Sequence, residues 1–365
     1  MAERPKYLQV ADTLRTEIAD GVFRDGQALM TEEELRIRFG VSRQTVRQAI
    51  ALLEEDGLVI RRRGSGTYVR HGPRMRHQGI MRVGVLTSSI TDYISPAILG
   101  GIEAVMNERG VIMYLSATSN DPEKERVILD RMLDGQVDGL IVEGCRASAP
   151  TPNLDCYRRL MERNIPMVFM NAYYPEIRNV PHVIMDDSEG GRMAAREILK
   201  RGYTRPAGLF KTDDPQGKER ARGFLEELKK QGIEPAPENM LYFGTEERMT
   251  LFRTQKGDAF MTRAEDPELI DCVACYNDIF AVGFMSELRI RGNRSTRSIG
   301  IRGFDDAVVA SMASPALTTL AHPQDALGAL AAQKLLRMMD GEHQDSVRIP
   351  WKLMERESLP TVAKG

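Results

Sequence analysis

Apolar positions in the first seventy residues recur at helical spacing. Tyr7, Ala11, Leu14 and Ile18 mark one amphipathic helix, which Gly21 closes. Thr31 is placed to cap a second, short helix through Phe39, with Gly40 as its stop. Ser42 is placed to cap a third, whose Val46, Ala49, Ile50 and Leu53 face inward while Arg43, Gln44 and Arg47 point out; Gly57 ends it. Residues 58–60 and 67–69 then read as two strands about the turn Arg63-Gly64-Ser65-Gly66. Periodicity stops over residues 70–79. From Met81 onward short apolar runs, at 83–86, 112–115, 140–142, 167–170, 207–210, 273–275 and 299–301, alternate with helical stretches such as 94–108, 123–133, 190–200, 217–230 and 279–290. That alternation is the sequence form of βαβ units and parallel sheets, and some 280 residues of it exceed one sheet. The expected class is α/β: a helix-turn-helix with a hairpin wing over 1–71, a linker over 72–79, and two doubly wound lobes over 80–365.

The composition, 42% hydrophobic and 28% charged, is that of a folded protein, and four cysteines are too few for a disulfide framework in a chain of this length. No apolar run approaches the ~20 residues of a membrane span, and the first residues lack the apolar core of a secretory signal. The expectation is a cytoplasmic protein with reduced thiols and no membrane partner. A net charge of −2 gives no general affinity for polyanions, but eight arginines lie between Arg36 and Arg70 against Glu54, Glu55 and Asp56, a local excess of five. This excess coincides with the helix-turn-helix. Arg43, Gln44, Thr45 and Arg47 occupy the first turns of the third helix, as a major-groove reading helix requires, and Arg61, Arg62, Arg63 and Gly64 sit at the wing, suited to backbone or minor groove. DNA is the expected partner. Two modules on a two-fold axis double the interface with a palindromic site, so a homodimer is expected.

In open α/β sheets ligands bind beyond the carboxyl ends of the strands, and the residues there are polar in this chain. They include Tyr93 after the first run, Glu143, Asn171, then Lys211 with Asp213, Asp214, Gln216 and Arg220, then Asn277 and Asp278, and finally Asp305 and Asp306. Carboxylates and amides with an Arg, a Lys and a few Tyr suit a polyol; a phosphate would want a Gly-rich loop or several cations together. The plainer roles are that Asn277 and Asp278 cap the next helix and that Asp305 closes a turn. Cys272 and Cys275 have the spacing of half a zinc site, but they lie in an apolar strand with no second pair, so neither metal nor cofactor is expected. Asp213-Asp214 and Asp305-Asp306 leave open a sugar-processing hydrolase, against which the attached DNA reader argues. A regulator of another small ligand, such as a nucleoside, is the further alternative.

The string Phe39-Gly40-Val41-Ser42-Arg43-Gln44-Thr45-Val46-Arg47-Gln48-Ala49, with Asp56-Gly57-Leu58 and Gly64-Ser65-Gly66-Thr67-Tyr68-Val69, resembles the winged helix-turn-helix of the GntR family. The resemblance implies base or phosphate contacts from Arg43, Gln44, Thr45, Arg47, Arg63 and Gly64. Val137-Asp138-Gly139-Leu140-Ile141, Arg220-Ala221-Arg222-Gly223-Phe224, Cys275-Tyr276-Asn277-Asp278 and Gly303-Phe304-Asp305-Asp306 resemble the ligand-binding region of LacI-type regulators, which share the fold of periplasmic sugar-binding proteins. By that resemblance Asn171, Arg220, Asp278 and His322 stand where an effector is touched. Thr91-Asp92-Tyr93-Ile94, Asn171-Ala172-Tyr173 and residues 210–217 are similar to arabinose-responsive members, which implies L-arabinose as effector and a repressor that it releases from its operator. Two residues depart from the pattern: Glu33, where many members carry an arginine, and Arg302, where an apolar strand residue is usual.

Overall fold

The hydrophobic stripes of the first helices close on one another. In the computed structural model, which describes residues 5–19, 22–23, 26–62, 65–69, 81–92, 94–135, 137–146, 151–292 and 299–362, α1 (Lys6–Ala19), α2 (Glu32–Phe39) and α3 (Arg43–Glu55) precede a hairpin of β1 (Val59–Arg62) and β2 (Gly66–Val69). Val10, Leu14 and Ile18 of α1 meet Leu35 of α2, Val46, Ala49, Ile50 and Leu53 of α3, and Val59 and Val69 of the hairpin. Val10, rather than the half-buried Tyr7, begins the buried stripe. Thr31 and Glu34 form a reciprocal capping box on α2, Gly40 ends it in the left-handed conformation (φ 62°), and Ser42 accepts the Thr45 N–H to start α3. The turn between the two helices is thus fixed by two local devices, Gly40 and the Ser42 cap. The expected closing Gly21, the wing-tip Arg63 and Gly64, and the linker over 72–79 lie outside the described residues.

The second unit begins at Arg82. In chain order it comprises β3 (Arg82–Thr87), α4 (Ser95–Glu108), β4 (Ile112–Ala117), α5 (Pro122–Asp134), β5 (Gly139–Val142), α6 (Leu154–Glu162), β6 (Met167–Met170), β7 (His182–Met185), α7 (Asp187–Lys200), β8 (Pro206–Lys211), α8 (Pro215–Lys230) and β9 (Met240–Phe243). There follow α9 (Gln255–Ala264), β10 (Cys272–Cys275), α10 (Asp278–Ile290), β11 (Gly300–Arg302), α11 (Val308–Met312), β12 (Thr319–Ala321), α12 (Gln324–Met339), β13 (Val347–Ile349) and β14 (Lys352–Met354). One lobe is built on a parallel sheet in the order β13-β7-β6-β5-β3-β4, the other on a parallel sheet in the order β11-β10-β8-β9. Strands covered on both faces read as continuous apolar runs, and Leu140, Ile141 and Val142 of β5 are fully buried, as are all four residues of β10. The antiparallel pair β12-β14 joins the second lobe through bridges from Arg302 to Thr318 and from Asp305 to Ala321. The chain passes between the lobes after β7, after β12 and after β13.

Several short elements were not among the apolar runs read from the sequence: β7, β9, β12, β13 and β14, each three or four residues long. Helices α7 and α8 pack backbone to backbone because glycines face each other's carbonyls. A Cβ on Gly223 would lie 1.9 Å from the Ser188 oxygen, and one on Gly191 would lie 2.1 Å from that of Arg220. Gly223→Ala is therefore expected to cost roughly 1–3 kcal/mol. Gly100→Ala, in α4 with nothing within 4 Å of its Cβ position, is expected to gain about 0.5–1 kcal/mol. Urea denaturation of the two variants checks the contrast; equal effects would mean that α7 and α8 are not in close contact.

Candidate functional site

The reading helix presents the predicted face. Arg43, Gln44 and Arg47 are exposed, Thr45 is half-buried with its hydroxyl 2.8 Å from that of Ser42, and Arg61 and Arg62 are exposed on β1. Sequence reasoning missed Glu32. From the first turn of α2 its carboxylate accepts the Arg43 Nε–H (3.1 Å) and the Arg47 Nε–H (3.0 Å), so one acid holds both arginines. Burial alone would raise the Glu32 carboxyl, but the bonds from Arg47 and Arg43 hold it below the usual carboxylate range. Its neighbour Glu33 takes two bonds from Arg36 (3.0 and 2.7 Å), which gives the unexpected acid an ion-pair role on α2. On the wing, the Arg62 guanidinium lies over the Tyr68 ring at 4.8 Å. All these pairs are solvent-accessible, so each is weak enough for a phosphate to displace.

In the second unit one buried guanidinium draws residues from several elements around it. Arg220, on α8, is 4% exposed. Its Nε donates to Asp187 (2.8 Å), Nη1 to the Tyr276 carbonyl (2.7 Å) and Nη2 to Asp305 (3.2 Å). Its charge also lies over the rings of Phe304 (4.6 Å), Trp351 (4.9 Å) and Tyr276 (5.4 Å). Burial works against this cation, but Asp305 and Asp187 outweigh it and push the guanidinium further up. Asp187 sits at the same balance from the other side: burial raises its carboxyl to about 6 in spite of Arg220.

The other candidates extend this centre. Lys211 ends β8 and bonds Asp214 (2.9 Å) and Asp213 (3.1 Å), while the Tyr276 hydroxyl donates to Asp214 (2.7 Å). Asp305, at φ 98°, accepts the His322 N–H on its carbonyl (3.3 Å). Asn277 caps α10 by accepting the Phe280 N–H (3.1 Å), the plainer role weighed for it above. Asp278 lies beneath the surface of the cleft. It is fully buried, and its two oxygens are taken by the Thr319 hydroxyl (2.6 Å) and the Ala307 N–H (2.8 Å), so it ties β12 and α11 to α10. Burial, then Asp305, pushes its carboxyl well above the ordinary range. Gln216 Oε1, His322 Nδ1 and Trp351 Nε1 are buried polar atoms with no hydrogen-bond partner among the described residues.

Glu143 and Asn171 belong to the other lobe, with no hydrogen bond to this centre among the described residues. Glu143 accepts the Thr87 hydroxyl (2.8 Å) and the Ser88 N–H (2.6 Å), and Asn171 takes the left-handed conformation directly after β6. Tyr93 lies outside the described residues. The lobes meet across their strand ends. Asp92, after β3, receives two bonds from Arg248 (2.6 and 3.0 Å), Asn120 donates to the Thr245 hydroxyl (2.9 Å), and Arg146 pairs with Glu246. The residues missed in the centre itself are Asp187, Phe304 and Trp351. Asp187 was legible in principle, since it follows the apolar run of β7; Trp351 and Phe304 carry no local signal for such a place. Among the described residues no group of three His, Cys, Asp or Glu side chains is disposed to hold a metal ion. All four cysteines are buried, and burial pushes the thiols of Cys272 and Cys275 up.

The model of the bacterial regulatory proteins of the gntR family matches residues 6–69, and that of the periplasmic binding protein-like domain matches residues 195–359. The arabinose metabolism transcriptional repressor of Geobacillus stearothermophilus is 34% identical over 343 residues, 94% of this chain and 93% of that protein. Its counterpart in Halalkalibacterium halodurans is 31% identical over 346 residues, 93% and 91% of the two chains. In fold, a periplasmic binding protein/LacI transcriptional regulator from Alkaliphilus metalliredigens, complexed with D-xylulofuranose, superposes with a TM-score of 0.65 at 22% identity over 76% of this chain and 98% of that one. The α/β class and the pairing of reader and sensor expected from the sequence are both upheld. A winged DNA reader joined to a two-lobed ligand-binding unit defines a transcriptional regulator. The chain belongs to the family of the arabinose metabolism transcriptional repressors.

His322 gives the centre a measurable pH signature. Burial, with Arg220 adding to it against Asp305, lowers the imidazole to about 4, compared with 6.5 in the unfolded chain. Between those values the unfolded chain binds a proton that the native protein refuses, so this residue's contribution to stability is lost as pH falls. Asp187, raised to about 6, acts with the opposite sign in an overlapping window, which flattens the total curve. The difference in unfolding free energy between wild type and His322→Gln isolates the histidine. It should fall by about 1.4 kcal/mol per unit as pH is lowered from about 6 to 4.5; a flat difference would mean that His322 is not held neutral.

Proposed function

We propose that this protein is a homodimeric, cytoplasmic repressor of L-arabinose utilisation genes that leaves its operator when the sugar binds between the two lobes, and that it has no catalytic activity. The observation that carries this reading is the Arg220 centre. Its cations are already paired with Asp187, Asp305, Asp213 and Asp214, which disfavours an anionic ligand, and the buried open atoms of Gln216, His322 and Trp351 can exchange hydrogen bonds with hydroxyls. The names of the relatives favour arabinose over a nucleoside. The paired acids considered for a hydrolase are committed elsewhere: Asp213 and Asp214 to Lys211, Asp305 to Arg220 and Asp306 to Arg356. Exposed apolar side chains on α11 (Val308 and Met312) and on the edge strand β4 (Ile112 and Tyr114) support assembly through the sensor. No helix among the described residues is long and apolar enough to cross a membrane.

On the DNA side, Arg43, Gln44, Thr45 and Arg47 read the major groove, and Arg61 and Arg62, with Arg63 and Gly64, hold the backbone or the minor groove. Arg43→Ala and Arg47→Ala are each expected to weaken binding to an operator recovered by selection in vitro by about 1–3 kcal/mol. Arg62→Ala should weaken all sequences alike and lower the salt slope by about one. Fluorescence anisotropy over a salt series checks both, and unchanged affinity of the two helix variants would remove α3 as the reading element.

Induction follows if the sugar-bound lobes hold two readers at a spacing that fits the operator less well. Linkage is reciprocal, so operator DNA must weaken sugar binding by the same factor, typically about 5–150-fold. Calorimetric titration of L-arabinose into free and operator-bound protein tests this. Equal affinities would exclude induction, and no binding in either state would exclude arabinose. Gln216→Ala removes an acceptor whose oxygen has no hydrogen-bond partner among the described residues, so it should weaken the sugar and leave DNA binding intact.

A further inference from the structure

Arg302 ends β11, where its backbone pairs with Ala274 on one side and Thr318 on the other. Such an interior position in a parallel sheet calls for an aliphatic side chain. Arg302 is instead among the largest fully buried side chains of the described residues, and none of its Nε, Nη1 and Nη2 has a hydrogen-bond partner there. Glu197 on α7, Arg201 at its C-terminal end, Asp278 at the head of α10 and Cys272 on β10 act on it through space. Burial pushes the guanidinium down to about 10, so it is still charged at neutral pH. A buried unpaired cation is destabilising, and an apolar side chain of similar volume would serve the core better.

Among the described residues this charge has one aromatic neighbour, the ring of Phe304, 5.4 Å from its guanidinium carbon. The same ring lies 4.6 Å from the Arg220 guanidinium and meets Trp351 edge to face at 5.5 Å. We propose that Arg302 is a positioning residue for the effector site, clamping the Phe304 ring by a desolvated cation–π contact so that the ring holds Arg220 and Trp351 in place. The effector part of this proposal rests on the reading of the Arg220 centre as the sugar site. A cation over a ring prefers its face, and the preference strengthens away from water. The stability lost to the buried charge is thereby exchanged for a fixed ring plane under Arg220.

Arg302→Met keeps the volume and removes the charge, and Trp351, the chain's single tryptophan, reports on the centre without any ligand. In the full-length protein Arg302→Met is expected to raise the melting temperature, shift the Trp351 emission and weaken L-arabinose binding by roughly fivefold or more. Arg302→Lys, which retains a cation, should restore part of the emission and of the sugar affinity. Phe304→Leu should reproduce them and show no further effect when combined with Arg302→Met. An altered melting temperature with wild-type emission and wild-type sugar affinity would overturn the proposal, since packing alone then explains the residue; so would a shifted emission with unchanged affinity. If wild type binds no arabinose, the effector reading has failed. The emission shift and its non-additivity with Phe304→Leu then decide the clamp by themselves.

Discussion

The second unit depends on how one buried cation is neutralised. Its three crossings between lobes come together at Arg220: Asp187 follows the first, Trp351 lies in the third, and Asp305 joins the second by accepting the His322 N–H. A guanidinium suits this place because its fixed fork can serve several partners in different directions while its flat faces rest on rings. Removing any one partner would leave a charge in a medium that cannot solvate it. A ligand that touches Arg220 therefore acts on all three crossings at once.

Charge is handled in opposite ways in the two units. In the sensor the ionic contacts around Arg220 are dry and multiply tied, so they fix a geometry. In the reader the grip of Glu32 on Arg43 and Arg47 is wet and weak, so it orders two long side chains without burying them. Arg302 belongs to neither pattern, being dry and unpaired. The cross-lobe pairs Asp92–Arg248 and Arg146–Glu246 are solvent-accessible like those of the reader, so they hold the cleft mouth together weakly.

Much of this was readable because it is local. Helix starts at Thr31 and Ser42 follow from a side-chain oxygen three residues before an N–H, the inward face of α3 from its period, and the two parallel sheets from apolar runs alternating with amphipathic helices. The strand-end rule reached Lys211, Gln216, Arg220, Asn277, Asp278 and Asp305 for the same reason, since each ends or follows a run, opens the next helix or, like Arg220, lies in its second turn.

What the sequence by itself determined, then, was the order of elements, the class of fold, the basic exposed face of α3 and the set of polar residues at strand ends. Only the tertiary structure decided which of those residues meet and which way they turn. Asp278 and Asp305 look alike as strand-end acids, yet the first is locked onto Thr319 and Ala307, while the second faces Arg220. Phe304, Trp351 and Glu32 owe their roles to partners 84, 131 and 11 residues away in the chain, Arg220, Arg220 and Arg43, as read from the numbering. Contacts of that span depend on how sheets and crossings close, and no local period or spacing encodes them.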